Sequence, residues 1–327
     1  MAATLTAVAQ AAGVSVATAS RAFSAPDRLA PATLQRVQQA ACDLGYTVAP
    51  GEADESGRTI GVVVPDIANA IYGSLIKAIH DQAWHGRHRV VLFDTAEDLR
   101  REREQIERAK ELDGFLLCSP RLSADELDVL LADARCVVVN RALEGHPNVL
   151  FDTDNGVRQS IDHLVALGHR CIAYAAGPRD SWAEEQRVVG AQRACAEHGV
   201  RFTALPHTAA TIQGGRAAAA TALSSGATAV LAYNDLVAMG LQSGITTLGR
   251  RCPEDLSIVG IDDIDLAGAM QPGLTTVHLA MDRCGSLAVE MLIAAITGGG
   301  EPEVVHLESQ LIVRGTTAPP RDALPHS

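Results

Sequence analysis

The residues of this chain that could do chemistry stand at the ends of short apolar runs. Asp66 follows Val62–Pro65, and Asn140 follows Val137–Val139. Asn234 and Asp235 follow Leu231–Tyr233, and Asp262 with Asp263 follows Ile258–Ile261. Asn69 and Tyr72 come just after Asp66, where a helix would open, and Ser181 with Trp182 lies in the loop after Cys171–Gly177. If the runs are parallel strands, these groups gather beyond the carboxyl ends of a sheet, where open α/β sheets bind ligands. Carboxylates and amides beside one or two aromatic faces suit a sugar: the polar groups take ring hydroxyls and the aromatic takes the apolar face of the ring. Aromatic residues make up only 3% of the chain, so a tryptophan in such a loop is informative. Taken singly, each acid or amide has another use, which is to cap the helix after it. Catalysis fits less well. The chain has no GxSxG, no HExxH and no P-loop lysine motif, and adjacent residues such as Asp262 and Asp263 point in different directions after a strand. No histidine has metal-ligand spacing, so neither a metal nor another cofactor is expected.

The pattern from residue 59 onward supplies a scaffold for these groups. Apolar runs at Ile60–Val64, Val90–Phe93, Gly114–Cys118, Cys136–Val139, Cys171–Ala175, Ala229–Ala232 and Ser257–Ile261 alternate with helical stretches. That alternation predicts an α/β fold with parallel sheets. The region also repeats itself. Ile60-Gly-Val-Val-Val-Pro is echoed by Ile172-Ala-Tyr-Ala-Ala-Gly-Pro, and His85-Gly86 by His198-Gly199, an offset of 112 to 113 residues. The repeat predicts two similar lobes side by side, the first over about 59–157 plus a returning segment and the second over about 158–285, with a C-terminal segment 286–327. A ligand would sit in the cleft between them. Trp84, in an amphipathic stretch beside Ile79, reads as a core residue. The stretch Asp94–Arg108, dense in both charge signs, reads as a solvated helix face with i,i+4 pairs.

The first 46 residues read differently, as three short helices. Leu5–Ala12 ends at Gly13, Val16–Phe23 starts after the N-cap candidate Ser15, and a third runs from Pro31 to Leu44 with Leu34, Val37, Ala41 and Leu44 on one face. Ala9 and Ala12 are small enough for a close helix crossing, Gly13 makes the turn and Val14 fills the core. This is the layout of a helix-turn-helix, with Val16 and Ala17 at the exposed start of its second helix. Thr18, Ser20 and Arg21 come next, with groups for phosphates or bases. A plain three-helix cap is the alternative. Residues 47–58 hold a proline, two glycines and three acids without apolar periodicity, and read as a linker.

Bulk properties set the frame. At 327 residues the chain exceeds one ordinary core. Its formal net charge of −12 excludes a protein that coats nucleic acid or a membrane surface by bulk charge, so any DNA contact must be local. Seven cysteines without a CxxC or Cys/His cluster suit thiols in a reducing compartment. With no signal-peptide pattern and no long apolar run, a cytoplasmic, membrane-free protein is expected.

The stretch Thr4-Leu-Thr-Ala-Val-Ala-Gln-Ala-Ala-Gly-Val-Ser-Val-Ala-Thr-Ala-Ser-Arg21 resembles the signature of the lactose-repressor (LacI/GalR) family of bacterial regulators. The likeness continues through Ile60–Asn69, Leu164–Arg170, Gly177-Pro with Arg187–Gly190, Ala232–Gly240, Ser257–Asp263 and Pro272–Val277, in that order. The resemblance implies a helix-turn-helix headpiece on a two-lobed core like a periplasmic binding protein. It implies a homodimer on a near-palindromic double-stranded operator, acting as a repressor under allosteric control by a small, sugar-like effector between the lobes. By motif position, Val16, Ala17 and Arg21 would read bases, while Thr4, Thr18, Ser20 and Thr33 would contact phosphates or support them. Asp66, Asn69, Tyr72, Asn140, Ser181, Arg187, Asn234 and Asp262 fall at effector positions, with Trp182 adjacent. Two departures stand out. The family's Ala-Arg-x-x-Leu-like hinge helix, which wedges a leucine into the minor groove, has no counterpart in residues 47–58. Residues 1–50 also carry three Arg against two Asp, which promises weak and strongly site-dependent DNA affinity. The remaining alternatives are a ligand-binding relative with impaired DNA binding, an enzyme, or a solute-binding protein of the same bilobal fold. With no heptad leucines near its end, the chain is expected to stop at a dimer.

Overall fold

The computed structural model describes residues 5–15, 18, 19, 22, 30–44, 57–298 and 303–321. The chain divides into a small unit, Met1–Gly57, and a large one, Arg58–Ser327.

In the small unit the helices Leu5–Ala12 and Pro31–Asp43 pack through small side chains. Ala9, Ala12, Ala40 and Ala41 are buried around Val8 and Val37, together with Ala19 and Ala22 from the helical residues between. Gly13 turns the chain at φ +65°, a left-handed conformation open to glycine at no steric cost. The N–H of Val14 then returns to the Ala9 carbonyl at 3.0 Å. Ser15 caps the next turn, its Oγ accepting the Thr18 N–H at 3.1 Å.

The large unit holds two six-stranded sheets. The first contains β1 (Thr59–Val64), β2 (Arg89–Asp94), β3 (Gly114–Cys118), β4 (Cys136–Val139), β5 (Asn148–Phe151) and β11 (Val304–Leu307), in the order β11-β5-β4-β3-β1-β2. The second contains β6 (Cys171–Ala175), β7 (Arg201–Ala204), β8 (Ala229–Ala232), β9 (Ser257–Asp262), β10 (Thr275–Leu279) and β12 (Ser309–Ile312), in the matching order β12-β10-β9-β8-β6-β7. All seven apolar runs are strands. Central strands are buried along their whole length, as parallel strands covered on both faces must be. Among the described pairings only β10 with β12 is antiparallel. The chain leaves β11 at the cleft and passes straight through Glu308 into the other sheet, so it enters β12 from the cleft side and runs the opposite way.

The chain crosses between lobes three times, at Asp152, Ala280 and Glu308. The Asp152 N–H donates to the Leu307 carbonyl at 2.8 Å, and the Ser309 hydroxyl donates to the Asp152 carbonyl. The helix Thr153–Ala166 already belongs to the second lobe, where Gly156 packs on Val277 and Ser309. The helix Met281–Ile296 returns to the first, where a Cβ on Gly285 would lie 2.8 Å from the Leu75 carbonyl oxygen. The crossings thus fall near 152 and 280 rather than at 158 and 285.

Two expectations fail against this fold. Trp84 is 73% exposed and stacks on His80. The buried stripe of its helix, Ala70–His85, is Ile71, Tyr72, Leu75, Ile79 and Ala83, and five residues beyond Ile79 the side chain has rotated off that stripe. The stretch Asp94–Arg108 is not uniformly solvated. Glu102 is 2% exposed, and its carboxylate accepts the N–H groups of Arg121 and Leu122. The described pairs in this helix, Arg103 with Glu126 and Glu107 with Lys110, are not i,i+4. Packing against the loop after β3 converts one charged turn into a buried anchor.

In the second lobe the helices Ile212–Ser224 and Asp235–Thr247 meet backbone to backbone. A Cβ on Gly215 would lie 2.1 Å from the Val237 oxygen, and one on Gly240 would lie 2.2 Å from the Ile212 oxygen. Gly240→Ala is therefore expected to lower stability by about 1–3 kcal/mol through overpacking. Gly73→Ala, at an exposed helical position with nothing within 4 Å of the added Cβ, is expected to be neutral or to add about 0.5–1 kcal/mol. Urea denaturation of the two variants beside the parent checks both signs.

Candidate functional site

Each sheet has the order 2-1-3 at its centre, so the direction of winding reverses between β1 and β3 and between β6 and β8. Loops leave such a point in opposite directions and open a crevice. The two crevices face each other across the crossings. From the first lobe come Asn69 after β1, Ser119 and Arg121 after β3, and Asn140 after β4; Tyr72 adds an aromatic face. From the second come Tyr233 and Asn234 after β8, Asp262 closing β9, and Arg187 from the helix Trp182–Glu197. They enclose a cavity of about 30 Å³. Three of the strand-end residues have left-handed backbones: Ser119 at φ +46°, Asn140 at +57° and Asp262 at +127°. Such conformations cost non-glycine residues of the order of 1–3 kcal/mol each and persist where the surroundings enforce them.

Side chains across the site hold one another. The Asn140 amide donates to Ser119 Oγ at 3.0 Å. Arg187 donates to the Tyr233 carbonyl at 2.5 Å, and its guanidinium carbon lies 4.9 Å from the centre of the Tyr233 ring. The Tyr233 ring has room only because residue 177 is glycine: a Cβ there would lie 2.4 Å from the ring. The Tyr233 hydroxyl meets Ser181 Oγ at 3.0 Å. Asp262 is 6% exposed and 3.8 Å from Arg187. Burial pushes its carboxyl up to about 7, against the pull of Arg187. Asp235 is fully buried behind it, accepting from the Thr276 hydroxyl and the Ile264 N–H. Desolvation and the neighbouring Asp262 push its pKa well above the usual carboxylate range. Asp263 turns away to Arg314 and His278, so the adjacent carboxylates diverge.

Of the residues singled out in the sequence, Asn69, Tyr72, Asn140, Arg187, Asn234 and Asp262 line the inner cavity. Ser181 and Trp182 line a wider recess of about 550 Å³ at the cleft mouth. Asp66 lines neither, because its carboxylate closes a turn onto the Ala68 N–H. Capping also holds for Asn69, Ser181 and Asn234, which accept from Ile71, Glu184 and Val237 while facing the cleft. Ser119, Arg121 and Tyr233 were not foreseen, although Ser119-Pro-Arg121 directly succeeds an apolar run. Of the DNA-directed residues, Thr18 is half-buried in the small unit and Thr33 lies in the first turn of Pro31–Asp43. Thr4, Val16, Ala17, Ser20, Arg21 and the linker through residue 56 lie outside the described residues.

The fold and site define a class: a two-lobed ligand-binding core joined to a small helical unit. Residues 4–48 match the family described as bacterial regulatory proteins, lacI family, and residues 161–317 match the periplasmic binding protein-like domain. The transcriptional repressor CytR of Escherichia coli (strain K12) is 31% identical over 97% of this chain and 96% of its own. The lac repressor dimer bound to operator and the anti-inducer ONPF is 26% identical, with a TM-score of 0.74 over 97% of this chain and 100% of its own. A regulator from Enterococcus faecium with bound ribose is 30% identical, with a TM-score of 0.71 over 80% of this chain and 99% of its own. The chain belongs to the lacI family of bacterial regulatory proteins, and it is a DNA-binding transcriptional regulator.

The raised pKa of Asp262 has a stability consequence of definite sign. The folded core holds this proton more tightly than the unfolded chain, whose aspartates titrate near 3.9. The contribution is full below about pH 3.9 and is lost as the pH rises through about 7. Asp262→Asn, neutral throughout, should therefore gain in Tm relative to the parent between pH 5 and pH 8. Parallel thermal melts at those two values measure it; an unchanged difference would contradict the assignment.

Proposed function

We propose that this regulator is a repressor whose operator affinity is set by a small, sugar-like effector bound between the lobes of the core. The observation that carries this reading is the convergence of amide, carboxyl, guanidinium and aromatic groups from both lobes on one cavity. Ligand sites of this kind span roughly 300–1,000 Å³. A space of about 30 Å³ holds little more than a water, so the lobes must part to admit a sugar and close on it again. The effector then shifts operator affinity by the difference between its own affinities for the two states of the core. The named relatives are regulators, and the cleft is read as a binding site without catalytic work.

For the small unit we propose base contacts from Val16, Ala17 and Arg21 and phosphate or supporting contacts from Thr4, Thr18, Ser20 and Thr33. The functional form is a homodimer on a near-palindromic operator in the cytoplasm; among the described residues no helix is long and apolar enough to cross a membrane. The exposed Trp84, with Val91 and Leu92 on the edge strand β2, offers apolar surface that a partner subunit would cover. A second reading, a ligand-binding relative with weakened DNA binding, is favoured by the acidic linker and by the slight positive charge of residues 1–50.

Gel shifts with the DNA upstream of the protein's own gene separate these readings. The parent should shift that DNA at low salt and respond to an effector. Arg21→Ala should weaken the shift about 10- to 100-fold, the cost of one good base contact. Asp262→Ala should keep the shift and lose the effector response. No shift at low salt, with or without candidate sugars, favours the second reading.

A further inference from the structure

Two guanidinium groups meet at the inner cavity, one from each lobe. Arg121 reaches it from the loop after β3 and is 6% exposed; Arg187 reaches it from the opposite lobe and is 3% exposed. The Nε of each has no hydrogen-bond partner. Neither has a buried carboxylate within hydrogen-bond distance. Arg121 has Glu97 at 3.0 Å, but that side chain is 29% exposed and shared with solvent. Arg187 has Asp262 at 3.8 Å, beyond hydrogen-bond reach. Burial keeps Asp262 partly protonated at neutral pH. Behind Arg121 lies Arg141, also buried with an unpaired Nε, which donates to the Pro120 carbonyl and has no ion pair among the described residues. Glu102 is held by the N–H groups of Arg121 and Leu122. Glu184 accepts from the Tyr174 hydroxyl and the Gly177 N–H through Oε2, keeps its Oε1 without a hydrogen bond, and lines the outer recess, not the inner cavity.

A chain of net charge −12 thus concentrates positive charge at the closed end of its cleft. A buried cation without a full partner is costly, and the cost falls when an anion supplies acceptors. A neutral sugar can accept from both forks through its hydroxyls but brings no charge to offset theirs. A carboxylate or phosphate offers planar or multiple oxygens that match two guanidiniums at once.

We propose that the effector is an anionic carbohydrate, a sugar acid or a sugar phosphate, whose charged group sits between Arg121 and Arg187 while its hydroxyls meet Asn69, Asn140, Asn234 and Asp262. This rests on the cleft reading above and narrows it. Arg121 is the determinant of the preference, since it brings the first lobe's charge to the cavity and its engagement requires the lobes to close.

The test is calorimetric titration of the full chain with matched pairs: ribose and ribose 5-phosphate, galactose and galacturonate, glucose and gluconate. The anionic member of at least one pair should bind at least tenfold more tightly than its neutral partner, and which pair responds distinguishes phosphate from carboxylate. Arg121→Gln should erase that advantage, costing the anion at least tenfold more affinity than its neutral partner, and Arg121→Lys should restore part of it. Melting curves of both variants establish that they fold. Anion affinity within twofold of the parent in Arg121→Gln overturns the proposal, as does silence of every probe. A neutral sugar that binds best, and loses binding in Asp262→Ala, overturns the anionic preference and leaves the ligand cleft standing. A sugar whose affinity ignores both Asp262→Ala and Arg121→Gln overturns both.

Discussion

The architecture depends on three chain crossings held side by side. The Asp152 N–H on the Leu307 carbonyl and the Ser309 hydroxyl on the Asp152 carbonyl tie two of them together at the level of the cleft floor. Because strands reach this level from both sheets with their carboxyl ends facing, every loop after a central strand is aimed at the other lobe. The polar groups of the site need no dedicated scaffold. They are the residues a parallel sheet places there, and the crossings bring two such sets within reach of one ligand.

Much of this was legible in the sequence where physics leaves a periodic mark. Apolar runs long enough to be buried on both faces became strands, and the internal offset announced two lobes. Strands without that mark were missed. β10, Thr275–Leu279, reads as polar yet buries Thr275 and Thr276 completely, because Thr276 donates to Asp235 and the Thr275 N–H donates to Thr316 Oγ1. β7 and β11 lie beside only one neighbour each and carry mixed residues. At the site, residues directly after a run were found, whereas Arg121 was not. It stands three residues beyond β3, and its direction depends on the left-handed turn at Ser119 and on the anchoring of its own N–H by Glu102. Neither is visible in composition or spacing. Capping and ligand binding also proved compatible: Asn234 caps a helix through Oδ1 and still faces the cavity.

Charge in the cleft obeys one rule applied several times. Burial raises the cost of ionisation, so the pKa values of Asp235 and Asp262 are pushed up, while arginine, which does not give up its proton in proteins, stays charged. The same desolvation that makes the acids harder to ionise leaves the guanidiniums charged. A site can therefore be cationic inside a strongly acidic molecule without a single lysine in its lining.

The return of helix Met281–Ile296 and β11 to the first lobe has a consequence for how the protein is made. That helix packs along Ala70–His85, and β11 completes the sheet beside β5. A ribosome working from the N-terminus has finished the whole second-lobe segment up to Leu279 before it supplies these pieces. The lobe whose strands are synthesised first thus waits for pieces made after most of the second lobe, and its apolar helix face stays exposed during translation, the condition under which a nascent chain depends most on chaperones.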